Sequence, residues 1–382
     1  MFRKARCAAV DVGRRCSVAA VVGAVVALLP QTGRAQTPQS AGVDPACECR
    51  IVLRRVAALG DDNDEVAFRP TSVLARDPAG RYFAGVTHSP SSIAVFAPNG
   101  NPLPPFGRQG EGPGEMERIR YVRAAYGDSI IVLDRPKLTL FASSGSPVRW
   151  GTLPRGVAAF RFAVLKSGHV VVNNYFPTHP SFVLLDRKFT GLREFGSTTP
   201  PDSRSDSDAI QYHLVGLDSG RFAAVRQYYR YGVEIWDTTG SLVRRFDRIP
   251  SWYQPWTEAD KHAAARQLSG FPVIEGVHAD GQRLWVAARV PDPTWKDPAA
   301  KMRAPERGRE VAFPAIPVTE YNRRYDSVIE VLDVATGRVL VSQRFDAYVS
   351  QFTEGGFMYS VREAPSSLLR IDVWRAEIVR VP

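Results

Sequence analysis

Apolar and polar residues alternate along most of the chain in short runs, each broken by a turn that carries glycine. A period of two predicts strands with one face turned inward. One pattern recurs: an alternating strand, a short turn, a second strand. It appears as "IAVFAPNGNPLPPFG" from Ile93, "LTLFASSGSPVRWG" from Leu138, "FVLLDRKFTGLREFG" from Phe182, "VEIWDTTGSLVRRFD" from Val233, "IEVLDVATGRVLVSQRFD" from Ile329 and, most weakly, "LLRIDVWRAEIVRV" from Leu368. Each copy follows another glycine hairpin, such as "SVLARDPAGRYFAGV", "FAVLKSGHVVVN" or "IEGVHADGQRLWVAAR". Tight hairpin turns demand positive φ, which glycine adopts without a Cβ clash.

Six units of four short strands over residues 51–382 give a period of about 55, near that of known propeller repeats once loop insertions are allowed. A β-sandwich or a pair of domains is the alternative, but no break in composition divides the units. A four-stranded sheet that buries both faces against like neighbours closes into a ring. The expectation is an all-β, six-bladed β-propeller with antiparallel four-stranded blades over residues 51–382, preceded by a linker at 36–50. The segment "RIVLRRVAAL" from Arg50 is a spare strand expected to join the last blade. Two excursions interrupt the rhythm. "PSWYQPWTEADKHAAARQLSG" predicts a short helix from Glu258 to Leu268 between blades 4 and 5, capped by Thr257 and stopped by Gly270. A proline-rich, charged insertion from Pro291 to Tyr325 in blade 5 is longer than ordinary loops and reads as a lid or arm, with Trp295 as its anchor.

The run "FGRQGEGPGEM" from Phe106, followed by "ERIRYVRAAYGDSIIVLD" opening the next unit, resembles NHL-repeat and related six-bladed propellers of exported bacterial proteins. The rhythm covers the mature chain, whereas the glycine signature occurs once. The resemblance implies the fold; such propellers include scaffolds, binding modules and a few lyases or hydrolases, so it does not select a function.

Residues 1–35 have the form of a secretory signal peptide: basic Arg3, Lys4, Arg6, Arg14 and Arg15, the apolar run "VAAVVGAVVALL", then Pro30 and a small-residue site at "GRA". The Arg14-Arg15 pair suggests a twin-arginine route, but its surroundings fit an ordinary Sec signal better. The apolar run is well short of the ~20 residues a spanning helix needs, so a periplasmic or secreted protein without a membrane span is expected. Removing the six basic residues and one acidic residue of this segment lowers the formal charge from +10 to +5. The remaining arginines are scattered, and no nucleic-acid partner is expected. Cys47 and Cys49 remain, placed for either a local disulfide or two free thiols.

Antiparallel order puts the two glycine hairpins of every unit on one side and the other connections on the opposite side. The irregular segments collect on that second, loop-rich side, which is the expected binding face for a small-molecule or protein ligand. Candidate contacts there are Arg108, Glu111 and Glu115 in the glycine-rich link, Tyr175, Trp295, and the patch "RQYYRYG" with Arg226, Tyr228, Tyr229, Arg230 and Tyr231. Aromatic rings and arginines supply rigid area with polar tips, and paired arginines suit an anionic group. The alternative for that patch is inter-blade packing. The link is a poor phosphate cradle, because it precedes a strand, Pro113 lacks an amide hydrogen, and its glutamates repel phosphate. No HExxH, GxSxG or GxxxxGK[ST] motif occurs. His88 and His179 lie in loops of the same side, and if they met across the mouth of the ring they would suit a divalent metal and a lyase or hydrolase. No other cofactor is indicated.

Overall fold

The computed structural model describes residues 48–60, 68, 73–85, 92–134, 136–174, 179–196, 211–217, 220–228, 230–255, 272–294, 321, 323–349, 351–364 and 368–381. Within them the chain forms six four-stranded antiparallel sheets. Strand β1 (Cys49–Leu59) comes first in sequence and belongs to the last blade. Blade 1 is β2 (Val73–Arg76), β3 (Tyr82–Gly85), β4 (Ile93–Phe96) and β5 (Pro102–Phe106). Two short parallel strands, β6 (Arg108–Gln109) and β7 (Glu115–Met116), form the link. Blade 2 is β8 (Ile119–Ala124), β9 (Ile130–Asp134), β10 (Lys137–Phe141) and β11 (Pro147–Thr152). Blade 3 is β12 (Ala159–Val164), β13 (Val170–Asn174), β14 (Phe182–Leu185) and β15 (Gly191–Phe195). Blade 4 is β16 (Tyr212–Gly216), β17 (Arg221–Arg226), β18 (Tyr231–Asp237) and β19 (Leu242–Arg248). Blade 5 is β20 (Val273–Asp280), β21 (Arg283–Pro291), β22 (Tyr325–Asp333) and β23 (Val339–Phe345). Blade 6 is β24 (Gln351–Phe352), β25 (Phe357–Glu363), β26 (Leu369–Arg380) and, outermost, β1.

Why these segments make blades rather than one flat sheet is visible in the core. The middle strands are buried on both faces, as in β9, β10, β13 and β14, because each sheet has a neighbour on either side. Among the described residues the apolar side chains gather into one cluster per interface between consecutive blades. Phe162, Leu133 and Val183 join blades 2 and 3; Tyr231, Val286 and Leu332 join blades 4 and 5; Leu59, Phe96 and Val373 join blade 6 back to blade 1. Closure of the ring is thus a packed interface. Outer strands such as β5 and β15 face solvent. In blades 1–5 the pairing of third and fourth strands carries a register shift, the kind of irregularity that sharpens sheet twist.

The spare strand does join the last blade, in its outermost position, paired from Cys49 against Arg380 to Leu59 against Ile371. The weakest repeat copy, "LLRIDVWRAEIVRV", is accordingly not a hairpin. It is the single strand β26, since no turn residue interrupts it and β1 supplies its outer partner. Gly100, at the last hairpin of blade 1, meets this closure directly: its φ is +92°, and a Cβ there would lie 2.2 Å from the Ala58 carbonyl of β1. Cys49 is disulfide-bonded. The long insertion lies between β21 and β22 as expected; most of it, with Trp295, falls outside the described residues, as do the expected helix Glu258–Leu268, the leader segment and Cys47.

Candidate functional site

The innermost strand of each blade runs from the loop-rich side to the hairpin side, and inter-blade polar contacts follow one another around it. The Arg120 guanidinium of blade 2 stacks 5.5 Å from the Phe160 ring of blade 3. Arg161 of blade 3 donates from Nη1 to Gln227 Oε1 of blade 4 at 2.8 Å. His213 of blade 4 hydrogen-bonds the Ile274 backbone of blade 5, and His278 of blade 5 packs 5.9 Å from the Phe352 ring of blade 6. At the hairpin side, Glu354 of blade 6 accepts the amides of Arg76 in blade 1 (2.8 Å) and Ala124 in blade 2 (3.0 Å). Arg123 stands 3.6 Å from that carboxylate and donates to the Tyr121 hydroxyl at 2.7 Å.

Positive charge dominates this inner ring. The described innermost strands carry Arg76, Arg120, Arg123 and Arg161 against Glu275 and Asp280, and those two acids are engaged by Arg289 and Arg283. Arg161 is half-buried, and no carboxylate lies within ion-pair distance of it among the described residues. Its partner Gln227 is a neutral amide, 6 % exposed, on the loop-rich side. The consequence appears at His213: burial first, then the Arg161 and Arg123 charges, hold its pKa well below the ordinary histidine value. Its Nε2 is buried without a partner. His278 is pushed down to about 4, by burial first and then by Arg123.

The "RQYYRYG" patch divides. Tyr231 is fully buried between blades, with ring centroids 5.6 Å from Trp252 and 6.0 Å from Tyr253. Arg226 is 3.7 Å from the buried Glu234 and stacks 5.1 Å from Tyr212. Arg230 is exposed and Tyr228 half-buried; Tyr229 and Tyr175 fall outside the described residues. Thus the segment reaches the ring through Gln227, which was not among the expected contacts, while Tyr231 and Arg226 serve packing.

The glycine-rich link holds a cation by its carbonyl oxygens. Lys137 Nζ donates to the carbonyls of Glu115 (2.7 Å), Glu111 (3.2 Å) and Gly112 (3.3 Å). Glu115 turns back on the loop, accepting the Gly112 amide at 2.9 Å and Arg108 Nε at 2.7 Å, and the Gly112 amide, then Arg108, lowers its pKa. Arg108 and Glu111 are exposed at the loop surface.

His179 lies over Gly156, where a Cβ would come within 3.1 Å of the imidazole. His88, its expected partner across the mouth, lies outside the described residues. Three described carboxylates do converge at metal-ligand spacing, those of Asp292, Asp326 and Asp346, without a histidine. Sequence reasoning found neither this trio nor Arg161. The signal for the latter was an arginine in the middle of a first strand, "AFRFAV", in a position that interior packing would fill with an apolar side chain.

No protein-family model matches the chain, and no curated protein matches its sequence. Solved structures do match. A Bacteroides fragilis protein assigned to the exported class aligns at 11% identity with a TM-score of 0.54, over 89% of this chain and 98% of its own. Virginiamycin B lyase from Staphylococcus aureus aligns at 10% identity and a TM-score of 0.45, over 85% of this chain and 99% of its own. A Bacteroides caccae protein of unknown function aligns at 11% identity and 0.43, over 74% and 85%. At these identities the first likeness carries the fold alone, and the other two carry no argument. No described helix is long and apolar enough to cross a membrane.

Proposed function

We propose that the protein is an exported binding module that takes an anionic ligand at the loop-rich mouth of its ring. The observation that carries this reading is Arg161, a half-buried guanidinium bonded to the neutral Gln227, with no described carboxylate beside it. Taking a charge partly out of water is costly unless an opposite charge accompanies it. A ligand carboxylate, sulfate or phosphate supplies that charge, and guanidinium binds such groups in a bidentate fork. Arg230 and Tyr228 on the same loop supply the outer contacts, whereas the link, with Arg108 held by Glu115 and Glu111 beside it, does not suit an anion. Export rests on the form of the leader and on the class of the Bacteroides fragilis relative.

Isothermal titration with sulfate, phosphate and citrate tests the reading. Saturable binding by the wild type, weakened at least tenfold in Arg161→Gln, is expected. Binding that is equal in the two proteins, or absent from both, overturns it. Arg161→Gln keeps a donor toward Gln227, so loss of binding without loss of melting temperature separates the charge from the fold.

A further inference from the structure

We propose that Asp292, Asp326 and Asp346 form a calcium site on the loop-rich side of blade 5, where one ion pins both ends of the long insertion. The antiparallel order of blade 5 brings them together. Asp292 follows β21 directly, Asp326 is the second residue of β22, and Asp346 follows β23 directly. Ser327 pairs with Phe345, so one step further the register sets Asp346 opposite Asp326. One oxygen from each carboxylate lies within 4.8 Å of the others.

A group of acids alone would signify little, but Asp326 is not a surface acid. It is 4% exposed, and its Oδ1 is shut away from solvent without any hydrogen-bond partner, whereas Oδ2 receives Arg344 Nε at 2.5 Å. Both neighbouring carboxylates act on it: burial raises its pKa, Arg344 opposes this, and the Asp292 and Asp346 charges raise it further. A buried oxygen without a partner, on a carboxylate grouped with two more, is a donor that a cation would satisfy. Arg344 is already spent on Oδ2 and on the Pro291 carbonyl.

The donors are all oxygen, which selects a hard cation. Three clustered protein carboxylates suit calcium, which takes about six to eight oxygen ligands in flexible geometry, better than magnesium, which demands a near-ideal octahedron and keeps several of its waters. Asp292 stands at the start of the insertion and Asp326 just past its end, so the ion would add a side-chain tie to ends that the strand ladder and the bond from the Asp292 amide to the Arg324 carbonyl (2.9 Å) already bring together.

Calcium chloride is titrated into the chelator-treated full chain, followed by calorimetry and thermal melting. A saturable heat is expected, with a rise in melting temperature on the order of a few °C at saturation and a weaker response to magnesium. Asp346 is exposed, so Asp346→Asn is expected to melt like the calcium-free wild type while binding calcium at least tenfold more weakly. Asp292→Asn combined with Asp346→Asn should abolish the response. Wild type that gives neither heat nor a melting shift at 10-millimolar-order calcium, or a double variant that responds as fully as wild type, overturns the site.

Discussion

Glu354, in the tight turn of blade 6, accepts the backbone amide of Ala124 in blade 2, 230 residues away and across the inner ring. Its second oxygen takes the Arg76 amide of blade 1, and Arg123 stands beside it. One carboxylate therefore fastens three blades where the ring closes. Charge-assisted hydrogen bonds contribute about 1.5–3 kcal/mol each, and amides left without an acceptor cost more than a neutral exchange. Glu354→Ala is expected to lower unfolding free energy by about 2–4 kcal/mol in urea titration, with Glu354→Gln intermediate. A loss below about 0.5 kcal/mol would mean that water replaces the carboxylate at no cost.

Closure also depends on β1. Its Ile51 packs toward blade 5 and its Ala57 and Leu59 toward blade 1, and the Gln343 side chain accepts the Ile51 amide at 2.7 Å. A chain beginning after Leu59 leaves β26 as a bare edge, open to pairing with another molecule. It should elute from size exclusion as aggregate, and a peptide spanning Cys49–Leu59 supplied during refolding should restore the monomer. A stable, soluble monomer from the shortened chain would show that the interface of blades 1 and 6 holds without it.

Much of this architecture is legible in the sequence because it is local. Strand alternation and turn glycines lie within a few residues of each other, and the blade count follows from their rhythm. The sixth unit misled because the partner of β26 comes from the other end of the chain, so "LLRIDVWRAEIVRV" has strand character and no turn. The site was far less legible. Arg161, Gln227 and His213 meet only across blades, and the calcium trio is spaced 34 and 20 residues apart, with a long insertion inside the first gap. Loop residues drew attention for composition, whereas the inner ring is built from strand positions. Tyr231 shows the reverse error of emphasis: an aromatic beside a loop that the register turns fully inward.

The glycine-rich link should respond to substitution by position rather than uniformly. Gly110 has φ +146°, and a Cβ there would fall 2.2 Å from Glu115 Oε2; at Gly112 the φ is ordinary and the same oxygen would be 2.9 Å away. Backbone strain adds to the clash in the first case. Gly110→Ala is expected to cost about 1–3 kcal/mol, Gly112→Ala less than about 1 kcal/mol, and Gly112→Val more than Gly112→Ala. Lys137→Met leaves three carbonyls without their ammonium and should cost about 2 kcal/mol or more. Equal melting temperatures for the two alanine variants would count against the strain.

The two buried histidines give stability a pH slope whose sign follows from their depressed values. Below about pH 6.5 an unfolded chain protonates both, while folded His278 holds out to about 4 and folded His213 is also held low. The unfolded state then binds more protons, so stability is full above pH 6.5 and declines as pH falls toward 4. Arg161 and Arg123 are part of the cause at His213, so an anion that neutralises them raises its folded pKa and flattens the slope. Urea unfolding from pH 7.5 to 4.5, with and without saturating sulfate, should show that decline and its reduction by the anion. In His213→Gln the sulfate-dependent part should disappear while the part due to His278 persists. A slope that sulfate leaves unchanged in the wild type would mean that the bound anion does not reach Arg161.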